Sequence, residues 1–359
     1  MSLTRLLVRD LRNLSEVDLA PNGHLNIIQG ENGSGKSSLL EAIHLLSTGK
    51  SQRTHTLNHA IREGASAFQI NGWIACDRGL VPVVHRREPS QSILRIAGKS
   101  VSAASELARL MPSISISPET VDLIYGSPGN RRRFLDWGVF HVEPIFHVAW
   151  IRYQRALAQR NQALKSGHHT FTVWERELSE ASGLIDQFRR HYIDGLCRTV
   201  AHLLSDWTDY GELRIDYRRG WDDDAALEAH LERTRSRDKR LGFTRDGPHR
   251  ADLNITVAGS PAATRLSRGQ VKIVTSLLWF AQVVQISSIQ GRWPVLMIDD
   301  LVAELDPVQA RQYVACVETL GCQAFITMPT PDVETVVGDK DYELFHVKQG
   351  KIIPGKTGK

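Results

Sequence analysis

Apolar and polar residues alternate through residues 3 to 9 and again through 16 to 19, on either side of Arg12-Asn13. That period of two predicts an antiparallel strand pair. The pattern then changes. Asn26-Ile27-Ile28-Gln29 reads as a short buried strand, and residues 38 to 46, with their run of leucine, alanine and isoleucine, as the helix that follows it. From residue 68 to 101 short alternating runs return, Phe68-Gln69-Ile70 among them, and predict further antiparallel strands. The first part of the chain is therefore a mixture of strand and helix.

Beyond Ser117-Pro118 the period becomes helical. Trp174, Leu178, Ala181, Ile185, Phe188, Tyr192, Leu196, Val200, Leu203 and Trp207 recur at steps of three or four, which predicts one long amphipathic helix. Residues 145 to 164 show the same period, and the polar stretch 165 to 170 separates the two, so an antiparallel helical pair is expected. A coiled-coil seam needs at least about three uninterrupted heptads. Gly183, Gly195 and the limited length favour a compact helical lobe instead. After a basic run at 233 to 240, alternation resumes in Ala251-Asp252-Leu253-Asn254-Ile255-Thr256-Val257, and the remainder is again α/β. The expected organisation is one α/β domain built from residues 1–117 and 241–359, with a mainly helical lobe inserted at 118–240. No internal repeat or low-complexity segment interrupts it.

Composition narrows this little. The 359 residues are 42% hydrophobic and 23% charged, which excludes a disordered chain and suits a large core with an insertion. A net charge of +4 and a pI near 8.9 are compatible with a polyanionic partner without demonstrating one. Cys76, Cys197, Cys316 and Cys322 form no Cys-x-x-Cys pair and read as buried free thiols, not a metal site. The N-terminus lacks the features of a cleaved leader, and no apolar run approaches the roughly 18 residues that span a bilayer, so a cytoplasmic protein without a membrane partner is expected.

The chemistry lies in three segments. Gly30-Glu31-Asn32-Gly33-Ser34-Gly35-Lys36-Ser37 fills every defined position of a P-loop, between a predicted strand and helix. Its glycines let successive backbone N–H groups face phosphate oxygens at a helix N-terminus. Lys36 is placed to reach the β- and γ-phosphates of ATP, and the Ser37 hydroxyl to ligate Mg²⁺. A glycine-rich turn alone would explain the glycines but not the Lys-Ser ending. Val295-Leu296-Met297-Ile298 reads as a buried strand delivering Asp299 and Asp300 to the same crevice. Asp299 is the candidate Mg²⁺ partner and Asp300 the candidate water-activating base. An aspartate there is shorter than a glutamate, which predicts slow turnover. Leu266-Ser267-Arg268-Gly269-Gln270 precedes a helical run, with Ser267 at its N-cap; by itself it need be no more than a cap.

Together these segments resemble the ABC-type ATPases. In that superfamily the equivalent of Ser267, Gly269 and Gln270 closes over the γ-phosphate held by a second subunit, so the resemblance implies an ATP-dependent homodimer. Glu304-Leu305-Asp306 resembles its D-loop, with Asp306 at the dimer seam. Thr327, after the apolar run Ala324-Phe325-Ile326, stands where transporters usually carry a switch histidine. That departure weakens a transporter reading. Glu119 is a candidate for the Q-loop position.

Pro118-Glu119, Leu123-Ile124-Tyr125-Gly126-Ser127-Pro128, Arg131-Arg132-Arg133-Phe134-Leu135-Asp136 and Gly247-Pro248-His249-Arg250-Ala251-Asp252 further resemble the RecF proteins, over essentially the whole chain. The segment after Asp306 is looser than that pattern. The resemblance implies an SMC-like ABC ATPase that binds double-stranded DNA and gap junctions without sequence preference. It would act with RecO and RecR, and indirectly with RecA, in recombinational repair and replication. The arginines at 131 to 133 and 233 to 240 are possible phosphate contacts or simply solvated helix faces. The competing expectations are a transporter nucleotide-binding subunit and an SMC-type tether.

Overall fold

The N-terminal alternation forms strands Ser2–Leu11 and Leu14–Leu19, paired antiparallel with Leu6 opposite Leu19 and Val8 opposite Val17. The computed structural model describes residues 1–359 apart from 78, 102, 167–170, 206, 208–210, 223–225, 301–304, 330–332, 339 and 356–359. The chain divides into two compact units, Met1–Thr120 with Ile286–Lys359, and Val121–Gln285.

The first unit contains two six-stranded sheets. One is antiparallel throughout, in the order Leu14–Leu19, Ser2–Leu11, Phe68–Cys76, Gly79–Glu88, Gln91–Ile96, Lys99–Ser100. The other runs Lys351–Pro354, Glu343–Lys348, Leu25–Gln29, Ala324–Met328, Val295–Ile298, Ser113–Ile116, and is parallel except at its first strand. Its three central strands are buried at every position, as expected of parallel strands covered on both faces. Helix Lys36–Thr48 touches strands of both sheets and buries nine of its residues, Leu39, Leu40, Ile43 and Leu46 among them. One contiguous core thus links Leu3, Val8 and Phe68 with Ile28, Met297 and Phe325. The register places Gln29 beside Met328, and Ile298 beside both Ile326 and Ile116. The loops after these strands therefore arrive at one end of the sheet.

The second unit is mainly helical: Pro128–Val142, Phe146–Ser166, Phe171–Leu204 and Leu227–Leu241, with a three-stranded sheet of Ser260–Pro261, Asp252–Val257 and Leu213–Arg218. Helices Phe146–Ser166 and Phe171–Leu204 are antiparallel neighbours, since Arg152 pairs with Glu177 (2.8 Å) while Arg160, farther along, pairs with Glu175 (3.0 Å). The long helix stops at Leu204, so Trp207 lies beyond it. Its inner face carries charge as well as apolar residues. Fully buried Arg160 bonds Glu175, Asp238 and the Thr244 hydroxyl, and buried Arg189 forks onto Asp136 at 2.8 and 2.9 Å. Such pairs belong to a packed lobe, not to a repetitive apolar seam.

The inserted lobe was expected to close at residue 240, whereas the compact unit continues to Gln285. Strand Asp252–Val257 pairs with Leu213–Arg218, and the Gln282 amide donates to the Phe134 carbonyl at 2.9 Å, which ties this stretch to the helices. A second expectation is corrected. Helix Arg268–Gln290 is long and apolar enough to cross a membrane by length and composition, but 72% of its apolar window is buried inside the protein. Core helices meet the same criteria as membrane spans.

Candidate functional site

At the C-terminal end of the parallel sheet, the loop from Gly30 to Gly35 turns from strand Leu25–Gln29 into helix Lys36–Thr48. The turn requires φ of +77° at Gly33 and +120° at Gly35, conformations that disfavour any side chain. Asn13, from the first hairpin, braces it: its amide donates to the Gly33 carbonyl at 2.9 Å, and its oxygen accepts from the Ser38 hydroxyl at 2.9 Å. The Gly350 N–H holds the Ser34 carbonyl from the other side at 2.9 Å. Gly35 supplies no capping side chain and the first helical turn contains no acid. The helix therefore presents its N-terminal N–H groups and dipole to an anion. Buried Ser34 Oγ has no hydrogen-bond partner, and Lys36 Nζ donates to the carbonyls of Gly30 (2.7 Å) and Glu31 (3.0 Å).

A cleft of about 700 Å³ opens above this loop. It brings together Asn32, Gly33, Gly35, Lys36 and Ser37 with Asp299 and Asp300, and with Glu119. Gly30, Glu31 and Ser34 border a smaller cavity of about 430 Å³ formed with the strand ending at Lys348. Half-buried Asp299 and exposed Asp300 follow strand Val295–Ile298, as its apolar run predicted. Thr327 joins them: its hydroxyl donates to Asp299 Oδ1 at 2.7 Å and accepts from the Asp300 N–H at 2.8 Å. Thr327 lies inside strand Ala324–Met328, not at its end, and is fully buried. Asp300 has φ +56°, a left-handed conformation that is strained for a non-glycine residue and that this bond opposes relaxing.

The arrangement suits a nucleoside triphosphate carrying a hard cation. The loop offers N–H donors and an ammonium, while Ser37 and Asp299 offer oxygen ligands to Mg²⁺. Among the described residues no group of three or more His, Cys, Asp or Glu is placed to hold a metal alone. Phosphate oxygens and water would complete the shell.

The other site candidates are described by their local structure. Ser267 and Gln270 form a reciprocal capping box in the second unit: the Ser267 N–H donates to Gln270 Oε1 at 2.9 Å, and the Gln270 N–H to Ser267 Oγ at 3.3 Å. Gly269 lies in the first turn of the helix they start, Arg268–Gln290. Asp306 caps helix Pro307–Thr319, accepting from the N–H groups of Val308 and Gln309, both at 2.9 Å. Glu304 lies outside the described residues. Most of the basic runs are engaged internally. Arg131 forks onto Asp252 (2.6 and 3.1 Å), Arg132 donates to the Ala251 carbonyl (2.8 Å), Arg235 pairs with Glu175, and Arg237 with Asp238 and Asp246. These side chains hold the helical unit together.

The cleft also contains residues that sequence reasoning passed over: Arg12, Gln52, Arg53, His59 and Ile61. Arg12-Asn13 registered only as a break between strands. No motif spacing links it to the P-loop, because the contact arises from sheet pairing.

A model of the RecF/RecN/SMC N-terminal domain matches residues 2–353. The DNA replication and repair protein RecF of Pseudomonas putida strain F1 is 40% identical over 359 residues, covering 98% of each chain. The chain belongs to the RecF family. The RecF protein of Pseudomonas aeruginosa strain PAO1 is also 40% identical, over 98% of this chain and 97% of its own. Among solved structures, one of the recombination mediator protein RecF-ATP in the RecFOR pathway superposes with a TM-score of 0.87 at 24% identity, over 99% of this chain and 97% of that one. An SMC head bound to the C-winged helix domain of ScpA gives 0.63 at 15%, over 99% and 98%. These likenesses are of fold, and the fold is that of the ABC-type ATPases. Membership of the RecF family sets the transporter-subunit reading aside.

Proposed function

We propose that the chain is an ATP-dependent DNA-binding clamp of recombinational repair and replication restart. ATP and Mg²⁺ occupy the cleft, two copies close over the nucleotide, and the dimer on DNA, with RecO and RecR, assists RecA loading at gaps. The observation that supports this most is the P-loop facing Asp299 and Asp300, which Thr327 bonds from behind, within one cleft in a chain of the RecF family.

In this reading Lys36 leaves the Gly30 and Glu31 carbonyls for the phosphates, which accept its ammonium more strongly. The loop N–H groups hold the phosphates, and Ser37 and Asp299 hold the cation, which when bound neutralises phosphate charge and polarises the γ-phosphoryl group. Asp300 orients a water and accepts its proton. Its short side chain and strained backbone are consistent with slow hydrolysis to ADP and phosphate, which resets the clamp. Exposed Ser267, with Gly269 and Gln270, contacts the phosphate of the second copy, and Asp306 lies at the seam. The Ser267 oxygen accepts within the capping box, which leaves its hydroxyl hydrogen to donate to phosphate.

Solution mass with and without ATP tests the clamp. Wild type is expected to double on ATP addition, while Lys36→Met and Ser267→Arg remain single. Normal doubling in both variants would overturn the reading.

A further inference from the structure

Glu41 stands in the second turn of the P-loop helix, with no solvent exposure, and its partners come from the segments that wall the cleft. Arg12 grips it with both arms of the guanidinium, Nε to Oε2 at 3.0 Å and Nη2 to Oε1 at 2.9 Å. The third nitrogen, Nη1, donates to the His59 carbonyl at 2.7 Å. The Ser51 hydroxyl donates to Oε1 at 2.5 Å, and Arg53 Nη1 lies 3.7 Å from Oε2. Arg12 is also fixed at its backbone, where φ is +54° and the N–H donates to the Ala60 carbonyl at 2.8 Å. Both arginines line the cleft beside Lys36 and Ser37 and keep solvent access, 22% for Arg12 and 48% for Arg53.

A carboxylate buried on a core helix is costly unless paired. An apolar residue would fill the same space more cheaply. What the carboxylate adds is direction: it holds two long cationic side chains, one bidentately, at the mouth of an anion site. We propose that Glu41 is a positioning residue of the nucleotide cleft, fixing the guanidinium groups of Arg12 and Arg53 toward the bound nucleotide; this rests on the cleft being the ATP site. The alternative, a bare charge effect, has the opposite sign. Removing one negative charge makes the cleft more positive and would tighten binding of a polyphosphate. Loss of positioning weakens it.

The test uses the full chain and the variants Glu41→Gln, Arg12→Gln and their combination, with ATP and ADP affinities from calorimetry and kcat and KM from phosphate release. Glu41→Gln should weaken both nucleotides by on the order of tenfold. KM should rise in parallel with kcat nearly unchanged, the signature of lost uniform binding. The double variant should lose less than the sum of the two single losses, because Glu41 acts in part through Arg12 and for the rest through Arg53. Unchanged or tighter binding by Glu41→Gln, or fully additive losses, would overturn the proposal. Should Glu41→Gln not fold, Arg12→Lys keeps the charge without the fork. It should show a similar loss, and native affinity there would overturn the proposal equally. Lys36→Met separates the two readings: if it binds ATP like wild type, the ATP site itself is misplaced, whereas its failure to bind beside a normal Glu41→Gln overturns positioning alone.

Discussion

Replacing Thr327 by valine removes one buried hydroxyl and with it two bonds, to Asp299 Oδ1 at 2.7 Å and from the Asp300 N–H at 2.8 Å. Valine matches threonine in shape, so packing changes little. A hydrogen bond to a charged carboxylate contributes about 1.5–3 kcal/mol and a neutral one about 1 kcal/mol, so the variant should lose about 2.5–4 kcal/mol of stability to urea. Catalysis should suffer for a separate reason. Asp300 is held at φ +56°, a conformation that costs a non-glycine residue about 1–3 kcal/mol. Without the Thr327 acceptor, relaxation of Asp300 would carry its carboxylate away from the water that we propose it activates. If between 1.4 and 2.8 kcal/mol of that loss reaches the barrier, kcat falls by about 10- to 100-fold. The P-loop is untouched, so ATP affinity should stay within about threefold of wild type. Thr327→Ser preserves both bonds and should restore the rate. Single-turnover phosphate release, with nucleotide affinity measured alongside, is the assay. Native kcat in a destabilised Thr327→Val would refute the idea that this hydroxyl sets the position of Asp300.

Two further outcomes follow from buried charge. Arg160→Met should destabilise the chain by about 3–5 kcal/mol in urea unfolding, because Glu175 and Asp238, both buried, lose their shared partner; a loss under about 1 kcal/mol would show that Arg235 and Arg237 suffice. His44 is half-buried and His85 fully buried, and desolvation depresses each pKa to about 4 against 6.5 unfolded. The unfolded chain therefore binds protons first as pH falls, so this stability is complete above pH 6.5 and is lost between there and pH 4. Each histidine should contribute a loss of about 2 kcal/mol between pH 7.5 and 5.0. His85, whose ring bonds the Leu45 carbonyl (3.3 Å) and the Ser92 hydroxyl (3.2 Å), is the one to replace. His85→Gln should show a correspondingly flatter pH dependence, and an identical slope would refute the assignment.

The elements that carry the site were legible because each has a local cause. The buried run before Gly30, the glycines of the loop and the apolar run before Asp299 each follow from the geometry of a parallel sheet end. The period of the long helix likewise exposed its length to within a turn. What was not legible depends on partners distant in the chain. Arg12 and Asn13 reach the P-loop cleft through pairing of the first hairpin, and Glu41 differs from an ordinary helical residue only through Arg12 and Arg53 around it. The arginine runs, open in the sequence to phosphate contact or a solvated helix face, also have partners distant in the chain. Basic clusters suggest phosphate contacts, yet Arg131, Arg235 and Arg237 are matched by Asp252, Glu175 and Asp246, residues that no local window would pair with them.

The signature segment shows how far local physics goes before a second copy of the chain is required. A Ser-x-x-Gln sequence ahead of an apolar helix is sufficient for the capping box that Ser267 and Gln270 form, and it would be expected in a protein that never met ATP. Gly269 is not part of that box. It occupies a helical position, where glycine is up to about 1 kcal/mol worse than alanine. Helix formation gives no reason for it. Close approach of a phosphate to backbone N–H groups beside the helix N-terminus does, since a side chain there would stand in the way. The cap and the proposed phosphate contact are thus compatible uses of one turn. They separate under substitution: Gly269→Ala should leave the helix as stable or more so, while ATP no longer doubles the mass of the protein.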